Sequence, residues 1–191
     1  MNNNNLTGSR VRLDQFNANI GLNRGAGRLK EIMWYLTKII FFLSSFPFPN
    51  ILKTCLLRIF GAQIGHALII KPRVNIHMPW KLTVGNNVWI GEESFILNFE
   101  CVKIGNNACI SQRAMLCGGN HDYGLPEMPY RNGPITICDG AWIGAGSFVG
   151  PNVTVGVDTI VSACTVVTKN LESNAIYKGN PAKYIKNRWK D

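Results

Sequence analysis

Residues 141–169 read AWIGAGSFVGPNVTVGVDTIVSACTVVTK, and in them an aliphatic residue returns at every sixth position: Ile143, Val149, Val155, Val161 and Val167. Glycine follows the first three. The same beat reaches back to Ile64. Ile64-Gly65, Val84-Gly85, Ile90-Gly91 and Ile104-Gly105 carry the glycine, while Ile70, Ile76, Ile96, Ile110, Leu116 and Ile137 keep the register without it. Four places after the aliphatic comes a small or β-branched residue, as at Val74, Val88, Ser94, Ala108, Ala114, Ala141, Ser147, Val153, Thr159 and Thr165. A six-residue beat fits neither the helical period nor simple strand alternation. It is the spacing of a β-solenoid, in which each hexamer is one short strand plus a corner. The aliphatic side chain then points into the coil, and each coil buries its face only against its neighbours. A β-sandwich would space its strands by about 8–12 residues and alternate within each.

The corners agree. Asn86-Asn87, Asn106-Asn107, Asp139-Gly140 and Pro151-Asn152 follow the inward aliphatic by two or three places. Gly, Asn and Asp are the residues that adopt positive φ most cheaply. The beat also slips. Ile76 to Val84 and Ile96 to Ile104 are steps of eight, and Leu116 to Ile137 is a step of twenty-one. The last excess is the segment 118–134, GGNHDYGLPEMPYRNGP, which contains one histidine. A long loop thrown out of a regular scaffold is usually functional.

The 191 residues make one solenoid domain with terminal extensions. The boundaries expected are a flexible segment over 1–28, an apolar helical segment over 29–60, the coil over 61–171 and a C-terminal extension over 172–191. The net charge of +9 sits at the ends. Residues 1–60 hold eight basic against two acidic side chains, residues 61–170 seven against seven, and residues 171–191 five against two. A neutral coil without a basic stripe argues against nucleic acid. Basic ends suit anionic ligands or lipid head groups. The apolar block from Ile32 to Leu43 is short of the roughly 20 residues a membrane span needs. It reads either as a helix closing the open end of the solenoid or as an interfacial helix touching lipid. Six cysteines without CxxC spacing, and a start lacking a signal peptide's apolar stretch, read as a reduced, cytoplasmic protein.

The repeat, the loop Asn120-His121-Asp122 and the ending Gly179-Asn180-Pro181-Ala182-Lys183 together resemble the hexapeptide-repeat acyltransferases, over about residues 60–186. Within them the chain is most similar to the maltose, galactoside and nodulation sugar O-acetyltransferases. The apolar block leading into Leu57-Arg58-Ile59-Phe60-Gly61-Ala62 looks like the colanic acid biosynthesis branch. The resemblance implies a mainly β fold, a left-handed parallel β-helix with an N-terminal helical segment and a short C-terminal extension. It further implies a homotrimer with active sites between subunits, acetyl-CoA as co-substrate, and a sugar acceptor, lipid-linked or an exopolysaccharide precursor at the inner face of the membrane. A serine or xenobiotic acceptor is the alternative.

Site residues follow from the same resemblance. His121, sixteen residues after Gly105, matches the catalytic histidine. Imidazole changes protonation near neutral pH and can take a proton from a sugar hydroxyl. Asp122 would orient its ring, or form a turn. Asn98 matches an asparagine that binds acceptor or steadies the oxyanion, or is a corner residue. Trp142 matches an aromatic at the channel wall, where a sugar can stack. Ala145 and Ala163 match backbone positions along the pantetheine arm. Thr168, Lys169, Lys183 and Lys186 match positions near the nucleotide, where lysine is a point-charge partner for phosphate.

Three other readings compete. A zinc enzyme on a similar solenoid needs clustered histidines, and His66, His77 and His121 are far apart in sequence, so no metal is expected. Cys117 or Ser111 could serve as a covalent nucleophile, though neither sits in a recognisable motif. A non-catalytic scaffold would make His121 dispensable.

Overall fold

In the computed structural model, which describes residues 10–189, the six-residue beat closes into a three-sided parallel β-solenoid. The first face stacks Gln63–Ile64, Leu82–Val84, Val102–Ile104, Ile135–Ile137 and Val153–Val155. The second stacks Ile69–Ile70, Trp89–Ile90, Cys109–Ile110, Trp142–Ile143, Ile160–Val161 and Ala175–Lys178, then adds Lys183–Asn187 antiparallel. The third stacks Asn75–Ile76, Phe95–Leu97, Met115–Cys117, Phe148–Val149 and Val166–Val167. The inward aliphatics stay in register from coil to coil, Ile64 on Val84, Ile104, Ile137 and Val155. Together with the residues four places on, they form one buried column along the axis. Polar members of that column are satisfied, as buried hydroxyls must be. Ser147 donates to the Ser162 carbonyl and Thr159 to that of Glu172.

Each strand is short because the third residue after the inward aliphatic turns left-handed. The set is Ala67, Arg73, Asn87, Glu93, Asn107, Arg113, Gly140, Gly146, Asn152, Asp158 and Cys164. Only some of these are the Gly, Asn or Asp that the corners call for. The turn is tied to the preceding coil whatever its side chain, Asn107 N–H donating to the Asn86 carbonyl as Arg113 N–H does to that of Glu92, and at the larger residues the Glu93 carboxylate also bridges Arg73 and Arg113. The glycine after the aliphatic has a different cause. A Cβ on Gly144 would lie 2.6 Å from the Ala163 nitrogen, and one on Gly91 2.6 Å from that of Gln112. Adjacent coils approach too closely there for a side chain.

The slips in the beat all fall at one edge, where the third face turns into the first. After Ile76 the extra residues form a 3-10 turn, Pro79–Lys81. One coil on they are at 98–101, and the next coil throws out the loop 118–134. The three irregularities therefore stack.

At the open end, helices α1 (Arg28–Phe41) and α2 (Asn50–Ile59) pack on the first coil through Trp34, Phe42, Leu57 and Phe60. They also occupy the backbone edge that the first coil leaves unpaired. Arg58 donates to the carbonyls of Ile64 and Gly65 on the first face. Lys53 donates to Ile70 and Lys71 on the second, and Trp34 to Ile76 and His77 on the third. Asn50 accepts from Ile70 N–H. Among the described residues no helix is long and apolar enough to cross a membrane. Part of the expected segment 1–28, residues 1–9, lies outside the described residues.

Candidate active site

The loop 118–134 folds back on itself, with His121 and Tyr130 bridged antiparallel and Asp122 N–H bonded to the Pro129 carbonyl. This hairpin brings the carbonyl of Met128, whose φ is +46°, to 2.6 Å from His121 Nδ1. A carbonyl only accepts, so Nδ1 carries a hydrogen, and in the neutral ring the lone pair is on Nε2. The ring is packed as well as bonded. Tyr130 lies 4.9 Å and Phe16 5.6 Å from it, centroid to centroid.

Phe16 comes from residues 10–27, which cross the same edge. Arg12 N–H donates to the Pro126 carbonyl, and the Asn132 amide donates to the Gly21 carbonyl. Trp80 and Lys81 donate to the carbonyls of Arg24 and Asn23. Lys81 also reaches the Phe99 carbonyl. The aromatic contacts run on from Tyr130 to Phe99 and from Phe99 to His77. His77 borders a cavity of about 300 Å³ with Arg24, Glu31, Trp34, Lys38 and Trp80. Burial, then the positive charges of Lys38 and Arg24, push its pKa down to about 4.

Asp122 does not orient the histidine. Its carboxylate accepts from Gly124 N–H at 3.0 Å, closing a turn of its own. Asn98 does not reach solvent. It is fully buried, accepting from Met78 N–H at 2.8 Å and donating to the Met78 carbonyl at 2.5 Å. Its amide pins the stacked edge, and no surface of it is left to touch a ligand. The sequence pattern did not reveal this, because Met78 is twenty residues away.

The remaining candidates fall into separate groups. Trp142 stands outward on the second face between Cys109 and Ile160, its indole N–H bonded to Ser111 Oγ at 2.8 Å. Ala145 and Ala163 share a cavity of about 510 Å³ with Gln112, Arg113, Gly146 and Cys164, at the corner between second and third faces. Thr168 lines two cavities. One, of about 350 Å³, joins it to Gly119, Asn120 and Arg131 of the loop along Phe148 and Asn152. The other, of about 150 Å³, joins it to Lys169, Pro181 and Ala182. Lys183 follows at the start of the last strand, and Lys186 lies further along it, outside these cavities. The loop and the Ala145–Ala163 corner thus stand at opposite ends of the third face. Cys117 is buried, and burial pushes its thiol above the usual range, which disfavours the thiolate a nucleophile needs. Among the described residues no three His, Cys, Asp or Glu side chains converge as a metal site.

No protein-family model matches the chain. An Escherichia coli (strain K12) protein provisionally named colanic acid biosynthesis acetyltransferase WcaF is 36% identical over 168 residues, covering 86% of this chain and 91% of that one. Among solved structures, a hexapeptide-repeat acetyltransferase of Vibrio cholerae superimposes with a TM-score of 0.77 at 20% identity, covering 85% of this chain and 92% of its own. Galactoside acetyltransferase, solved in complex with coenzyme A, gives 0.74 at 22% identity, covering 84% and 81%.

Proposed function

The chain belongs to the hexapeptide-repeat acetyltransferases, and from that premise we propose that it moves the acetyl group of acetyl-CoA to a sugar hydroxyl, with His121 as general base. The observation that carries this reading is the bond from His121 Nδ1–H to the Met128 carbonyl, which makes Nε2 the basic nitrogen of the neutral ring, in a protruding loop. Nε2 takes the proton of the acceptor hydroxyl as the oxygen attacks the thioester carbonyl carbon. The tetrahedral intermediate collapses, the C–S bond breaks, and the imidazolium returns its proton to the CoA thiolate. The products are a sugar acetyl ester and free CoA, with no acyl-enzyme. Acetyl-CoA is supported by the galactoside acetyltransferase solved with coenzyme A. An exopolysaccharide precursor, met in the cytoplasm or at its membrane face, is supported by the name of the Escherichia coli relative.

The working unit we propose is a trimer. Outward positions of the first face are polar: Gln63, Thr83, Lys103, Thr136 and Thr154. Those of the second are Ile69, Trp89, Cys109, Trp142 and Ile160, and those of the third include Phe95, Met115, Phe148 and Val166. Two apolar faces and one polar face suit a ring of three prisms. A site joining the loop to the Ala145–Ala163 corner then takes one from each of two copies. Thr168 and Lys169, with Lys183 beyond, are assigned to the nucleotide end, and Trp142 to the wall.

The test is incubation with acetyl-CoA and a panel of sugars and sugar nucleotides, following free thiol and acceptor mass. An acetylated sugar formed by the wild type and lost in His121→Ala is the expected result. Acetylation of serine or a xenobiotic alone, or an undiminished His121→Ala enzyme, overturns the reading.

A further inference from the structure

Both N-terminal helices carry apolar side chains on their outer faces as well as on the faces packed against the first coil. In α1 the side chains turned toward the body include Glu31, Trp34 and Lys38, while Leu29, Ile32, Met33, Leu36, Ile39 and Ile40 are exposed. At 100° per residue the exposed residues form a continuous arc of roughly 160°, interrupted only by Arg28 and edged by Tyr35. In α2, Lys53 is buried on the backbone edge, and Ile51, Cys55 and Ile59 face outward beside Arg58. The connection between the helices adds Phe46, 61% exposed. A surface helix normally turns a polar face outward. Here exposed apolar side chains lie on the outer face of each helix and on the connection between them, and clustered apolar exposure of this kind marks an interaction surface.

The charges indicate what covers it. Residues 1–60 hold two acidic groups, and both are paired: Asp14 with Arg12, and Glu31 with Arg24. Of the other cations Lys38 and Lys53 are buried and Lys30 lies over the Trp80 ring, while Arg28 is exposed at the start of α1 and Arg58 at the end of α2, where it also donates to the Ile64 and Gly65 carbonyls. Arg28 and Lys30 stand in the first turn of α1, where the helix dipole disfavours positive charge. A second copy meeting this surface with its own equivalent would bring like charges together. An anionic surface would neutralise them and cover the apolar arc in one step. The fourteen-residue α1 is about 21 Å long, too short to cross a bilayer and suited to lying in its plane.

We propose that the outer faces of α1 and α2 form a docking surface for an anionic lipid bilayer, which holds the enzyme peripherally at the membrane. The inference goes beyond the acetyl-transfer reading and stands without it, since the binding can be measured with no acceptor present.

The experiment is co-sedimentation of the full chain with phosphatidylcholine vesicles, with and without about one third phosphatidylglycerol. Binding to the anionic vesicles, at least tenfold weaker to the neutral ones and falling with salt, is expected. Met33→Glu/Ile40→Glu, which changes exposed positions only, should lower partitioning at least tenfold with melting temperature and oligomer mass unchanged. Arg28→Glu should weaken binding to anionic vesicles without lowering the melting temperature, which keeps the test open if the double variant folds poorly. No binding to anionic vesicles, or equal binding by both variants and wild type, overturns the proposal. So does a fall in oligomer mass in the double variant, which would assign the surface to a second copy of the chain.

Discussion

His121 Nδ1 and the Met128 main-chain oxygen lie 2.6 Å apart, and the bond between them fixes the tautomer of the ring without help from any carboxylate. Asp122, its neighbour in sequence, is committed to the Gly124 amide. Two substitutions separate these roles. His121→Ala should lower turnover by about 10²–10⁴, the usual worth of a positioned general base. Asp122→Asn should keep the turn and hold turnover within about threefold, whereas loss of a carboxylate that set the tautomer would cost about 10⁴. Initial rates of CoA release at saturating acetyl-CoA distinguish them.

Asn98 is predicted to report on stability. Asn98→Ala leaves the buried N–H and C=O of Met78 without their partner, costing about 2–3 kcal/mol. Thermal unfolding should shift down by about 5–10 °C, and activity below the transition should persist in proportion to folded enzyme. Full stability with lost turnover would instead give Asn98 a direct role at the substrate.

Acid should destabilise the fold through His77. The unfolded chain protonates this residue at an ordinary 6.5, the folded chain only near 4. The stabilisation is complete above pH 6.5 and is lost progressively as pH falls from there toward 4. It amounts to on the order of 2 kcal/mol once solvent screening is allowed for. Urea unfolding of wild type and His77→Gln across pH 4–7.5 should show the variant with a flatter profile. Parallel profiles would remove His77 as the cause.

The donor path predicts a split in kinetic constants. Ala163→Trp fills the cavity shared with Ala145 and should raise KM for acetyl-CoA at least tenfold with oligomer mass intact. Lys169→Ala and Lys183→Ala, at exposed positions, should raise it only severalfold, and less so in high salt. An Ala163→Trp enzyme with wild-type KM would move the donor elsewhere.

Assembly is checked by light scattering. The wild type should run at three times the chain mass at micromolar concentration. Trp89→Glu, on the most exposed indole of the outward ladder at 58%, should shift it toward monomer. A wild-type monomer would defeat both the trimer and the shared site.

Much of the scaffold was legible because coil circumference and hydrophobic period are the same quantity. Every inward aliphatic from Ile70 to Val167 is buried as the six-residue beat requires. The corners were half legible: Asn87 and Gly140 announce themselves, but Arg73, Glu93 and Arg113 turn left-handed because the coils on either side hold them. The stacked edge was encoded in the numbers, since Ile76, Ile96 and Leu116 each precede a slip and are twenty residues apart. The surroundings of His121 were not. Phe16 and Met128 reach it through folding of irregular chain, where no period constrains the partner. Asn98 shows the converse, a residue of recognised type whose burial depends on a neighbour one coil away.

Arg58, Lys53 and Trp34 each seal one side of the triangular open edge. A stack of coils has no intrinsic length. Every unsealed end offers the next molecule the same hydrogen bonds that joined the last coil, which is the geometry by which β-structure grows into fibres. The three side chains act as a terminator: their charged or bulky heads accept no further strand. A repeat that could extend without limit is thereby made a finite, countable object. The same few bonds that close the molecule keep a crowded population of it from polymerising end to end.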